Sequence, residues 1–127
     1  MFTLQCALLT KSKTSKEPVI QIHFISDEYE ETKRIPSSLF ESKDLLMILA
    51  DLSKKEDPSM RFISTNRTEE IMEVNGKSNS WSEGWVVYVN DEKMDGIQMK
   101  RGIRVGPNDK IEIRYEAVER VFGRPTL

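Results

Sequence analysis

The side chains in this sequence that could carry chemistry are few. There is one imidazole, His23, in a run of β-branched and aromatic residues, and one thiol, Cys6, near the start. An imidazole can serve as a base, a pH switch or a metal ligand. One imidazole and one thiol cannot build a multi-histidine or cysteine metal cage, and they leave little for a Ser/His/Asp arrangement. His23 reads as a strand residue on the less buried face. Cys6 reads as a small buried hydrophobe, because no basic neighbour is at hand to activate it. In a secreted chain its alternative is a bridge between two copies. Carboxylates abound, but none has the isolated apolar setting that raises a pKa for acid–base work. The run Asp27, Glu28, Glu30 and Glu31 lacks the ligand spacing and the glycine of a calcium loop and reads as a solvated turn. The expectation is a protein that is not an enzyme and holds no metal.

The residues better suited to contact than to catalysis are aromatic. Trp81 lies in a polar loop, where core packing does not explain it, and exposed aromatics are enriched at binding surfaces. Trp85 and Tyr88 follow on a strand. Trp81, Trp85 and Tyr88 are the candidate apolar contacts. The turns at Asn75-Gly76 and Asn90-Asp91 are candidate sources of main-chain hydrogen bonds, since turns leave backbone groups free. Lys100, Arg101, Arg104, Arg114, Arg120 and Arg124 make the C-terminal part locally basic, but interspersed glutamates make a solvated sheet face the plainer reading. Asn66-Arg67-Thr68 fits the N-glycosylation acceptor pattern.

These residues must be positioned by a small scaffold. The chain has 127 residues, 19 Lys+Arg against 21 Asp+Glu, and a formal net charge of −2. That length predicts one domain over residues 1–121, with 122–127 as a tail. The charge balance argues against a nucleic-acid partner. No segment is long and apolar enough for a membrane helix, and no signal peptide is visible.

Phe2 to Leu8 alternates as a strand. Lys11 to Glu17 then reads as the loop of a hairpin leading into Val19 to Ile25, with Ile20, Ile22 and Phe24 on one face. Ser42 to Lys55 reads as a helix: Ser42 is the expected N-cap, and Leu45, Ile48, Leu49 and Leu52 form its stripe. Asp57-Pro58 ends it. Arg61 to Thr65, Ile71 to Val74, Trp85 to Val89 and Lys110 to Glu116 read as strands, and Ile97 to Val105 as a short irregular pair around Gly102. The order predicts an α+β fold: a β-grasp-like roll, with one helix packed across a mixed sheet of short strands.

The stretch Gly84-Trp85-Val86-Val87-Tyr88-Val89-Asn90, followed by Gly106-Pro107-Asn108-Asp109-Lys110-Ile111-Glu112-Ile113-Arg114-Tyr115, resembles the small C-terminal β domain of the transcobalamin and intrinsic factor family and related bacterial surface domains. The helix segment Leu45-Leu46-Met47-Ile48-Leu49-Ala50-Asp51-Leu52 and the strand and turn Glu70 to Gly76 match in place and kind. The likeness runs from Val19 to Tyr115. Asn90-Asp91 replaces the family's usual Asn-Gly, and Pro107-Asn108 interrupts its final turn. The resemblance implies a non-enzymatic binding domain, an extracellular setting, and cobalamin or another corrinoid as ligand. The helical body that makes most of the family's vitamin site has no counterpart in these residues. The alternative is a protein–protein module that presents a sheet edge or the Trp81 loop to another protein or to its own copy, with no small-molecule ligand.

Overall fold

The computed structural model describes residues 18–121 and 124–125. It is α+β, with two antiparallel-rich sheets and a helix closing one core. The main sheet has five strands in the order β2-β1-β8-β6-β7: β1 Val19–Ile25, β2 Glu30–Pro36, β6 Glu83–Val89, β7 Glu92–Met94 and β8 Ile111–Ala117. A smaller antiparallel sheet has the order β3-β4-β5: β3 Met60–Ser64, β4 Glu69–Val74 and β5 Lys77–Ser78. Helix α1 is Leu45–Lys54, and helix α2 is Gly96–Arg101. β9 Arg120–Val121 pairs with β10 Arg124–Pro125.

Alternation explains the main sheet. Ile20, Ile22 and Phe24 are fully buried on one face of β1, and Ile111 and Ile113 match them on β8. β1 and β8 run parallel, with Ile22 opposite Ile111 and Phe24 opposite Ile113. Leu45, Ile48 and Leu49 of α1 join this core, and Leu52 packs at its edge. Each such side chain contributes about 1.5–3 kcal/mol on burial. The same cluster takes Met60, Ile71 and Val74 from the small sheet and Met99 from α2, so the layers share one core.

Several expectations change. Among the described residues the hairpin partner of Val19–Ile25 is β2. β2 reads EETKRIP, and its charges hide a strand of which only Ile35 is buried. Phe2 to Leu8, Cys6 and the Lys11 to Glu17 loop lie outside the described residues. In the C-terminal segment only Arg124–Pro125 is described. The cap of α1 is Asp44, whose carboxylate accepts from the Met47 amide at 2.9 Å. Ser42 instead adopts φ 64°, outside the helix. Ile97 to Val105 is not a strand pair. Asp95 caps α2, accepting from the Gln98 amide, and the Gln98 side chain accepts from the Asp95 amide in return, a capping box that nucleates a helix in this place. Gly102 ends it at φ 105°, and an added Cβ there would meet Asp44 Oδ2 at 2.9 Å. Gly96, the first residue of α2, and Gly102, just past its end, look like loop punctuation, which is why the helix is missed.

Candidate functional site

A mismatch of strand lengths makes the site. β6 has seven residues, but β7 pairs only with Val87 to Val89. At Asp95 the chain leaves the sheet to form α2, so the first half of β6 has no strand on that side. β4 and α2 flank the gap without filling it. The result is an open cleft of about 290 Å³. Ile71, Trp85, Val86, Val87, Met94 and Met99 give it apolar walls, and Glu69, Glu70, Lys93 and Asp95 stand among its polar groups. Gly96 sits close to β4, and a Cβ there would come within 3.0 Å of Glu70 Cγ.

Trp85 forms the fixed wall. Its indole N–H donates to the Lys77 carbonyl at 2.8 Å, and its ring meets Tyr115 edge-on at 5.2 Å and 65°. The Tyr115 hydroxyl donates to the Ser78 carbonyl at 2.8 Å, and Lys77 Nζ lies 4.5 Å from the Tyr115 ring centre. Asn79 links the two sheets. Its Oδ1 accepts from the Trp85 amide at 3.0 Å, its Nδ2 donates to the Ile71 carbonyl at 3.0 Å, and its own amide donates to the Met72 carbonyl at 2.9 Å. Asn79 thus satisfies a strand N–H that β7 leaves unpaired. Glu69, nearly buried, accepts from Ser64 Oγ and pairs with Lys100 at 3.4 Å.

The residues singled out from sequence are brought together only in part. Trp81 is 69% exposed on the connection between β5 and β6. Asn79 and Gly84, which bracket it in the chain, both line the cleft, so Trp81 stands on the loop that borders it. Trp85 is 7% exposed and in the cleft wall. Tyr88 points to the opposite face of β6, with the Arg114 guanidinium 4.1 Å from its ring centre and Glu116 bonded to its hydroxyl. Burial first, then the Glu116 carboxylate, pushes this phenol above its usual range.

Asn75-Gly76 and Asn90-Asp91 are tight turns with positive φ at all four residues. Their polar groups work within the fold. Asn75 Oδ1 accepts from the Ser59 amide at 3.2 Å, and the Asn75 amide donates to the Ser59 carbonyl at 2.8 Å. Asn90 Oδ1 accepts from the Lys110 amide at 2.8 Å, its Nδ2 donates to Asp109 at 2.9 Å, and Asp91 pairs with Lys110 at 3.0 Å. Asn90-Asp91 lies at the far end of β6 from the cleft.

Asn66 is exposed in the β3–β4 turn, which Thr65 and Thr68 close through their hydroxyls at 2.7 Å. His23 Nδ1 is 2.8 Å from Thr32 Oγ1 on the sheet's outer face. Asp27 and Glu28 sit in the β1–β2 turn near Lys77, at 3.6 and 3.3 Å. Among the described residues no group of three His, Cys, Asp or Glu side chains is placed to hold a metal ion. Sequence reasoning missed Asn79, Met94 and Met99. The capping-box spacing Asp95 to Gln98 carried a signal for the α2 wall; nothing local marked Asn79.

No protein-family profile and no curated protein sequence matches the chain. Among solved structures, a protein from Ruminococcus gnavus with a provisional metal-binding description superposes with a TM-score of 0.59 at 14% identity, over 81% of this chain and 100% of that one. Haptocorrin, a transcobalamin-family protein solved in complex with Cbi, superposes with a TM-score of 0.59 at 11% identity, over 80% of this chain. This chain spans 26% of haptocorrin's length. At these identities the likeness is one of fold. Both neighbours are described as binding proteins.

Proposed function

We propose that this domain binds a ligand and does not transform it, with the cleft beside β6 taking an apolar part of that ligand. The observation that carries this reading is the cleft itself: about 290 Å³, walled by Trp85, Met94 and Met99, and open because β7 ends early. That volume lies at the small end of ligand sites, which are mainly apolar with a few oriented polar groups. Methionines suit a wall that must adapt its shape. Trp81, on the bordering loop, supplies a second aromatic surface. A corrinoid is the ligand class to which the fold likeness with haptocorrin points. A corrin ring exceeds the cleft, so a peripheral group would enter while the ring lay against the Trp81 loop.

Titration with cyanocobalamin, followed by its visible spectrum and by heat, tests the ligand class. Saturable binding is expected, weakened by Trp81→Ala and blocked by Met99→Trp, which fills the cleft. Absence of binding up to about 1 mM, a free energy near −4 kcal/mol, overturns the corrinoid assignment. Binding unaffected by Met99→Trp overturns the cleft.

A further inference from the structure

The outer edge of the main sheet is β2, and among the described residues no strand pairs with that edge. Exposed edges normally carry charge to repel a second strand. The charges on β2 are ordered in a way that does the opposite for one partner. The strand reads Glu30-Glu31-Thr32-Lys33-Arg34, acidic before Thr32 and basic after it. Two such strands laid antiparallel about Thr32 place Glu30 opposite Arg34 and Glu31 opposite Lys33 in both directions.

The backbone agrees with that centre. The Ser26 amide donates to the Tyr29 carbonyl at 2.9 Å, so this pair closes the β1–β2 hairpin as a hydrogen-bonded pair. Bonded and non-bonded pairs alternate along an antiparallel ladder. Counting from that pair through the β1–β2 register, the amides and carbonyls of Glu30, Thr32 and Arg34 point away from β1. These three residues are also exposed. Pro36, which has no N–H to offer, falls on the same outward series, past the last pair that two copies would make. On the other face Lys33 already pairs with Glu31 at 2.8 Å and with Asp57. Glu30 and Arg34 form no ion pair among the described residues and are available to a partner.

We infer that β2 is a self-pairing edge: two copies of this chain join their β2 strands antiparallel about a two-fold axis at Thr32, fusing two five-stranded sheets into one. The interface is isologous, as two-fold symmetry requires. An interface made of one pair of edge strands belongs among weak, concentration-dependent associations.

Sedimentation equilibrium of the full chain from about 10 μM to about 1 mM, a range that spans weak affinities, tests this. The expected mass rises toward that of a dimer, less so at high salt, which screens exposed charges. Arg34→Glu sets like charges opposite each other twice and lowers the association constant at least about tenfold, as does Glu30→Arg. The double variant restores association. An equimolar mixture of the two single variants associates more tightly than either variant alone. A wild type that stays monomeric throughout overturns the inference, and so does a dimer that Arg34→Glu leaves intact. A monomer that dimerises only when residues 1–17 are removed also overturns it, by assigning the edge to the chain's own N-terminal segment.

Discussion

Removing the side chain of Asn79 tests whether one residue holds the two sheets together. Asn79→Ala leaves the Trp85 amide and the Ile71 carbonyl without the partners they have at 3.0 Å each. Both bonds are partly buried, and a buried polar group left unpaired costs about 1–3 kcal/mol. Water entering through the open cleft offsets part of this, so the expected loss is about 2–3 kcal/mol in total. In a domain of this size that lowers the Tm by roughly 10 °C. Asn79→Asp divides the effect: it still accepts from Trp85 but cannot donate to Ile71. Its loss is expected to be smaller than that of Asn79→Ala. Urea unfolding followed by tryptophan emission reads both, in a Trp81→Phe background so that buried Trp85 is the sole reporter. An Asn79→Ala variant within about 0.5 kcal/mol of its parent, the usual scatter of surface changes, would refute the staple.

Two further outcomes follow from the scaffold around the site. Gly102→Ala introduces a Cβ at φ 105° that meets the carboxylate capping α1 at 2.9 Å. The strain and the displaced cap together are expected to cost about 2–3 kcal/mol by thermal denaturation, and a change under about 0.5 kcal/mol would show that Asp44 is not the cap that matters. Lys33 is held above the usual amine range, first by its hydrogen bond to Asp57 and then by Glu31. A raised amine stabilises the fold fully below its unfolded pKa and loses that contribution as pH climbs through the folded value. Because Asp57 is 66% exposed, the contribution is about half a kcal/mol. The gap in urea midpoint between wild type and Lys33→Met is therefore expected to close above about pH 10; a gap that widens there would reverse the assignment.

The parts of this fold legible in the sequence are those whose burial leaves a period. Ile20, Ile22 and Phe24, Ile111 and Ile113, and the Leu45, Ile48, Leu49 and Leu52 stripe all fall where their spacing puts them. The tight turns at Asn75-Gly76 and Asn90-Asp91 follow from residues that tolerate positive φ. What was hidden lies at edges. β2 buries a single residue, and β7 is three residues long. Such strands are defined by backbone pairing and not by an apolar face, so their side chains carry no signature. The site was half legible. Tryptophans announce contact wherever they stand, but the cleft exists because β7 stops short of Trp85, where the capping box at Asp95 turns the chain into α2. Asn79 is placed by three bonds to the strands on either side of it, and an asparagine in a polar loop looks like any other.

The parallel pairing of β1 with β8 has a consequence for how the chain is made. Ile25 ends β1 and Ile111 begins β8, so β1 waits for its parallel neighbour, the central strand of the sheet, which lies 86 residues further along. At about 5–20 residues per second of synthesis, that wait is on the order of 4–17 s. During it Ile20, Ile22 and Phe24 lack Ile111 and Ile113, the β8 members of their core. The nascent chain is therefore most prone to sticking just before its last long strand emerges, and a chaperone that holds it then would have the most to protect.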